Sequence, residues 1–551
     1  TLWFTSFAAH ALAHGTSLVH TSLLWHPAGI DVLDEASQLG LGVPLAPVTW
    51  LWGPVAATNV ALTLAPALSA LAAFALFERW GLWRPASFAG GLLYGFSPLV
   101  VLNLAEAHLV VGFAAGLPLA ALCLDVLLVG PCRRPAVVGA VLGLLAAWQL
   151  FISSEVLLIG AAAGALVVGA VVAARAVTDR RAAVVGLGTA GGVAAVLLAW
   201  PVWFALAGPS HVTGAIYPGS GVAESGASLR GALWPTPPSA AFDAYVARIG
   251  GYQGPHLAAD YLGIGVVAVV AVGLVVWRRD RRLQLCAGVA ACFFVFGLGS
   301  STTGWRPWDL VAHLPLAEDL IPVRLLLVTW LGLAGGVALV ADHVRTDVAR
   351  RQGRRPEAGP GDDARAVWAR RAAPAAAGLA VLAVAVVPPA AELARTVPLA
   401  AEPVVAPAWF TTVAPRLGGH QVVLALPVPF SVIQSSLAWQ VASGMAFAMA
   451  GGDGPGSDLG HAGAHRQAEA ALMDVSGTFA PRPVGPGAAA AVRRALADWG
   501  VTRVVLPDDP GLPPYDRPFD PAGARALVTA AVGHGPRRVA GSWVWVVAPG
   551  R

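Results

Sequence analysis

The stretch PVAATNVALTLAPALSALAAFAL, residues 54–76, decides how the rest of the chain is read. It holds no charged residue, and about 20 apolar residues in a helix cross the roughly 30 Å hydrocarbon core of a bilayer. Glu78 and Arg79 close it. Working outward, runs of the same kind recur at 86–103, 109–129, 135–151, 156–174, 183–206, 261–277, 283–299, 321–341 and 372–390. Composition agrees. Of 551 residues 56% are hydrophobic and 12% charged, against about 25% charged in a typical soluble domain. Mean hydropathy is +0.67. A disordered chain, a coiled coil and an ordinary soluble enzyme are excluded. The expected fold is an α-helical polytopic membrane protein with about 10 spans.

The basic residues orient those spans. With residues 1–53 outside, nineteen Arg fall in inside loops, among them Arg133, Arg134, Arg278, Arg279, Arg281 and Arg282. The outside loops up to residue 371 hold Arg230, Arg248 and Arg306. Cytoplasmic loops carry such an excess. It accounts for the net charge of +4 without nucleic acid, so no nucleic-acid partner is expected. All 35 basic residues are Arg, which with abundant Ala, Gly and Pro suggests a GC-rich, actinobacterial genome. Cys123, Cys286 and Cys292 fall in spans and Cys132 in an inside loop, so no disulfide framework is implied. Ten spans that start outside also end outside. A further helix upstream of Thr1, an eleventh, is expected if the N-terminus is cytoplasmic.

Three regions follow. Residues 1–53 form a first extracytoplasmic loop with an amphipathic interfacial helix, 54–390 the transmembrane domain, and 391–551 an extracytoplasmic small α/β domain. In the last, strands are expected at 421–429, 501–507 and 542–547, and helices at 488–500 and 522–533. No Gly-rich phosphate loop follows its first strand. Residues 207–260, rich in Gly, Pro and Ser, read as a functional cover, and 352–366 as a flexible linker.

Ionisable groups at the edge of a membrane are costly and therefore candidates for chemistry. The outer side offers Asp31, Asp34 and Glu35 in the first loop, Glu106 and His108 at the next tip, Glu155 before the fifth span, Asp260 before the seventh, and Arg324 at the head of the ninth. A carboxylate there can act as a general base or ligate a divalent metal such as Mg or Mn. Arg324 presents a planar fork suited to phosphate. Each also has a structural reading: Asp34 and Glu35 as solvated loop residues, Glu155 as an acid at a helix N-terminus, Arg324 as a side chain reaching the headgroups. Asp125, at a cytoplasmic helix end, reads as interfacial. His10 and His14 share a helix face, but no HExxH or Cys cluster accompanies them.

The order of several landmarks resembles the GT-C superfamily of integral membrane glycosyltransferases, especially its actinobacterial set. They are AAHALAHG (8–15), HPAGID (26–31), PVTWLWGPVAATNVALTLAPALSA (47–70), GGLLYGFSP (90–98), AEAHLVV (105–111), AWQLFISSEVLL (147–158), DYLG (260–263), IPVR (321–324), LADWGVTRVVLPDDPGLPPY (496–515) and GSWVWV (541–546). The resemblance implies an acid in a long outer loop, serving as general base or metal partner, and a polyprenyl-phosphate-linked sugar donor. It implies transfer on the outer face of the plasma membrane. In that set an acid often lies in a Gly-Asp pair ahead of the helix at which Thr1 stands. Glu106–Ala107–His108 stands where relatives show a Gly-His pair, and Glu155 matches a Glu common before the fifth span.

The expected activity is therefore an inverting membrane glycosyltransferase with Asp31, Asp34, Glu35 and Glu155 as catalytic candidates. Glu106, His108, Asp260 and Arg324 are the substrate-binding candidates. The acceptor is a glycan, a glycolipid or a protein of the cell envelope, and membrane lipid surrounds the site. Two alternatives stay open: a lipid or polysaccharide transporter, which would place acids mid-helix, and a non-catalytic envelope scaffold.

Overall fold

The structure is a computed structural model. It describes residues 1–34, 37–209, 211, 226–235, 259–300, 306–314, 317, 319–353, 364–395, 397–399, 401, 403–417, 421–429, 434–452, 465–476, 485, 487–512 and 519–547. Glu35, Arg248, most of the 207–260 cover and most of the 352–366 linker lie outside the described residues.

Helices α1 (Leu2–His14) and α2 (Leu39–Trp52) precede α3 (Pro54–Arg79), which contains the stretch quoted first. There follow α4 (Arg84–Gly95), α5 (Pro98–Ala105), α6 (Leu109–Gly112), α7 (Gly116–Leu128), α8 (Pro135–Leu150), α9 (Ser154–Ala173) and α10 (Arg180–Ala207). After the short α11 (Leu229–Leu233) come α12 (Ile264–Val276), α13 (Arg281–Gly297), α14 (Leu326–Gly353) and α15 (Ala364–Ala394). The caps explain several starts. Asp179 accepts from Ala182 N–H at 3.0 Å and Asp280 from Arg282 and Leu283 N–H at 2.8 and 3.0 Å, each directly before an Arg pair. Ser153 caps α9, its Oγ accepting from Val156 N–H at 3.2 Å. A side-chain oxygen at this position satisfies a donor that the helix leaves unpaired.

Each of the ten apolar runs becomes helix, but their lengths differ from the expectation. Six helices among the described residues are long and apolar enough to cross a membrane: Pro54–Arg79, Leu109–Leu128, Ser154–Ala173, Arg180–Ala207, Pro322–Gly353 and Trp368–Ala394. The run 86–103 is a pair, α4 and α5, bent by 43°. Ser97 starts the second piece and Pro98 stands at its head, where a missing N–H costs nothing. Pro135–Leu150 and Ile264–Val276 are shorter apolar helices. For α12 the reason is local: Gly263, with φ +85°, delays its start to Ile264, whereas α8 starts at Pro135 as expected.

Helix α14 is the post of the bundle. Its residues 326–330 and 332–341 are buried on every side. Gly332 lies against the Cys286 carbonyl, Gly335 against Phe77 and Trp80, and Gly336 against Val270, so α13, α3 and α12 approach its backbone closely. Five groups lie at one end of the bundle: Asp125 is 3.4 Å from Arg79 and 3.9 Å from Arg282, and Asp280 is 2.6 Å from His343. This is the Arg-rich end. Asp125 is thereby part of an inter-helix ion cluster.

The C-terminal part is a five-stranded mixed sheet, with β1 (His20–Thr21) and β2 (Ile30–Asp31) forming a separate small pair in the first loop. Its strands are β3 (Val422–Ala425), β4 (Ala448–Met449), β5 (Arg503–Pro507), β6 (Arg537–Val539) and β7 (Ser542–Val546), in the order β4-β3-β5-β7-β6. β3 runs parallel to β4 and β5, and β7 antiparallel to β5 and β6. Helices α16 (Ser435–Ala442), α17 (Arg466–Ser476), α18 (Ala488–Asp498) and α19 (Pro521–Val532) complete it. Two- and three-residue strands such as β4 and β6 are too short for alternation to reveal them.

The first loop is fastened to this sheet. Met449 N–H donates to Leu23 O at 2.8 Å, His26 N–H to Met449 O at 3.0 Å, and Trp25 N–H to Gly451 O at 3.3 Å. Residues 23–26 thus line the β4 edge. Gln440 Nε2 donates to Leu23 O and Phe447 O at 2.9 and 2.8 Å. Trp3, Phe7, Trp25, Trp409, Phe410 and Trp439 share one core. Helix α1 was expected as amphipathic and interfacial; here it is packed into protein, with Trp3, Phe7 and Ala8 buried.

Candidate functional site

Two of the candidate charges meet. Glu155 stands in the first turn of α9, and Arg324 in a 3₁₀ turn, Pro322–Leu325, that leads into α14. The Arg324 guanidinium donates to Glu155 Oε2, and Ile321 N–H donates to Glu155 Oε1 at 3.0 Å. The side chains are 19% and 15% exposed, so the pair is largely but not wholly removed from water. The positions follow from the fold. Ser153 ends the turn after α8 and aims Glu155 from the start of α9, while the buried post α14 holds the 3₁₀ turn at its head. Both helices begin at this end, where their dipoles favour an anion.

A second polar group lies at a loop tip. His108 Nδ1 is 3.4 Å from Glu106 Oε2, with His108 half exposed. Ala107, between them, has φ +56°, and Gln38 has φ +50°. Thr1 joins the two: its hydroxyl donates to Ala107 O, and Gln38 Nε2 donates to Thr1 Oγ1 at 3.2 Å. Residues without a glycine's freedom rarely occupy that region, and they concentrate where surrounding contacts hold them. Neither position was singled out from sequence, because a left-handed conformation at Gln or Ala leaves no compositional mark.

The first loop reaches the turn that carries Glu155. Ser37 Oγ donates to Phe151 O at 3.1 Å, Gly40 N–H to the same oxygen at 2.6 Å, and Trp148 Nε1 to Gly40 O at 2.9 Å. Asp34 lies three residues before this staple, and Glu155 four after Phe151. Asp34 is half-buried.

The remaining candidates are placed elsewhere. Asp31 is buried, its Oδ1 accepting from Leu33 N–H at 2.8 Å. Burial pushes its carboxyl up to about 6, against the opposing pull of Leu33 N–H and of His211. No hydrogen bond or ion pair joins Asp31 to Glu155 or Arg324 among the described residues. Asp260 Oδ2 accepts from Ser228 N–H and Oγ at 2.9 and 3.0 Å, which ties the start of α11 to the approach of α12. Glu35 lies outside the described residues.

Among the described residues no three His, Cys, Asp or Glu side chains gather as a metal-ligating group. His10 and His14 stack with ring centroids 4.1 Å apart, and His14 Nδ1 is bound to His10 O at 2.8 Å. Glu155 is engaged by a cation and an amide rather than by further oxygen donors, so its surroundings do not fit a divalent ion. A shallow depression of about 510 Å³ lies on the C-terminal domain beside Arg525, Thr529 and Trp543, and no carboxylate lines it.

By sequence the chain matches no family model and no curated protein. By structure it superposes on arabinofuranosyltransferase AftD from Mycobacteria with a TM-score of 0.57 at 16% identity, over 100% of this chain. The chain shares the fold of the part of AftD that it matches. It spans 38% of the length of AftD. The archaeal oligosaccharyltransferase AglB from Archaeoglobus fulgidus, solved with an inhibitory peptide and a dolichol-phosphate, matches with a TM-score of 0.48 at 11% identity, over 97% of this chain and 67% of AglB. Within this fold, Glu155 and Arg324 sit at one end of the helix bundle, and Arg79, Asp125 and Arg282 at the other.

Proposed function

We propose that the protein is an inverting membrane glycosyltransferase. It takes a sugar from a polyprenyl-phosphate-linked donor and transfers it to a cell-envelope glycan, glycolipid or protein on the extracytoplasmic face. The observation that carries this reading is the largely buried Glu155–Arg324 pair at the head of two membrane-length helices in a fold shared with AftD. An Arg fork at that depth suits a phosphate whose lipid tail lies in the bilayer.

In this reading the acceptor oxygen attacks the anomeric carbon, the bond from that carbon to the phosphate oxygen breaks, and polyprenyl phosphate leaves. Arg324 holds the phosphate, whose charge grows as the bond breaks; a donor aimed at developing charge stabilises the transition state. The acceptor proton passes to Asp34, a half-buried acid of the first loop. His108, half exposed at its tip, lines the approach.

Transfer from a radiolabelled polyprenyl-phosphate sugar by the protein in nanodiscs tests the proposal. Asp34→Asn is expected to lower kcat by about 100-fold or more, the usual scale for loss of a general base, with donor binding unchanged. Arg324→Ala is expected to weaken donor binding far more than Arg306→Ala does. Equal effects of the two Arg changes would remove Arg324 from the site.

A further inference from the structure

The guanidinium assigned to the donor phosphate is already taken by a carboxylate. Arg324 donates to Glu155 Oε2, while the other oxygen of Glu155 is held by Ile321 N–H at 3.0 Å. The two oxygens of one carboxylate thus have different partners, one a side chain that can turn away and one a backbone amide that cannot.

We propose that this pair is exchanged during the reaction. The donor phosphate displaces the Glu155 carboxylate from Arg324, and Glu155, still tethered by Ile321 N–H, turns its freed oxygen to the hydroxyls of the donor sugar. The inference rests on the reading of Arg324 as the phosphate ligand.

Charge explains why the exchange is balanced. Two largely buried ions stay together because either one alone loses its hydration without compensation. A sugar-linked phosphodiester carries one negative charge, as a carboxylate does, so substituting one for the other leaves the charge at Arg324 nearly the same. The displaced carboxylate keeps the Ile321 amide, the Ser153-capped first turn of α9 and the dipole of that helix. Sugar hydroxyls then replace the donor that Glu155 gave up. As the anomeric bond breaks, the departing phosphate monoester gains a second charge, and Arg324 then favours it over the carboxylate. Binding is thereby weighted toward the transition state rather than the bound donor. Once the phosphate leaves, Glu155 closes again on Arg324 and assists release.

The test uses the full chain in nanodiscs, with polyprenyl phosphate lacking a sugar as the probe and its thermal shift and binding isotherm as readouts. Glu155→Gln removes the competing charge. It is expected to bind the probe about five- to tenfold more tightly than wild type, the net scale of one hydrogen bond, while transfer at saturating donor falls. Arg324→Ala is expected to lose most of the binding. In the double variant the Glu155→Gln gain should vanish, because the two act on one contact. Arg324→Lys, which keeps the ion pair but not the fork, should fold and bind weakly. If Glu155→Gln binds the probe no better than wild type, the exchange is overturned while the phosphate role of Arg324 stands. If Arg324→Ala binds as wild type does, the phosphate role itself falls and the exchange with it.

Discussion

Asp31 carries its carboxyl in a place that favours the protonated form. It is buried with Oδ1 committed to Leu33 N–H, and burial pushes its pKa up to about 6. Between the ordinary Asp value and pH 6 the folded protein holds a proton that the unfolded chain has released. Stability therefore falls as pH rises through that window and stays lower above it. At pH 7.5 the cost is about 2–3 kcal/mol. Asp31→Asn keeps the Leu33 bond and removes the ionisation. It should unfold at higher temperature than wild type at pH 7.5, and the difference should shrink through pH 4.5 and vanish near pH 3, below both values, as followed by thermal melts. A buried catalytic base would show the opposite priority, with activity lost whatever the stability. At this scale the sequence was partly readable. Glu155 and Arg324 stood out because charges at span ends are expensive, but their meeting joins residues 169 positions apart and left no local pattern. Asp260 also stood out, and its contact with Ser228, 32 positions away, could not be read, because a carboxylate that binds a backbone amide looks the same in sequence as one that binds a ligand.

The elements were easier to read than their lengths. Hydropathy registers apolar side chains and is blind to where the backbone bends, so 86–103 reads as one span although Phe96–Pro98 break it into α4 and α5. The close packing of elements is readable only in part, since a glycine that seats a neighbour and one that faces lipid are the same letter. Gly139 and Gly188 show the difference. A Cβ on Gly139, in α8, would stand 2.1 Å from the Gly186 carbonyl of α10, whereas one on Gly188 would meet nothing within 4 Å. Gly139→Ala must push α8 and α10 apart and should cost about 1–3 kcal/mol, the range for overpacking. Gly188→Ala should be neutral or stabilising by up to about 1 kcal/mol through helix propensity. Thermal unfolding in a single detergent separates the two. In the C-terminal domain, β3, β5, β7, α18 and α19 followed from alternation and caps. β4 was not seen, because its two residues make a strand only through what pairs on either side.

At the scale of the whole molecule, the two ends of the bundle differ in chemistry, and they can be told apart in cells. His108 is half exposed at a tip near Thr1 and Gln38, while Cys132 lies between α7 and α8 at the Arg-rich end. In His108→Cys, a membrane-impermeant maleimide should label the new thiol on intact cells and Cys132 only after lysis. The reverse order would invert the orientation and move Glu155 and Arg324 to the cytoplasmic side. The contact between residues 23–26 and β4 adds a constraint of another kind. Backbone hydrogen bonds cannot reach across a bilayer, so the first loop and the sheet share one compartment. Every crossing between residue 26 and residue 421 must then be undone by another. Ten crossings satisfy this parity, and so do six. Seven do not: if α4 and α5 cross together as one bent span, an odd number of the shorter helices must cross as well.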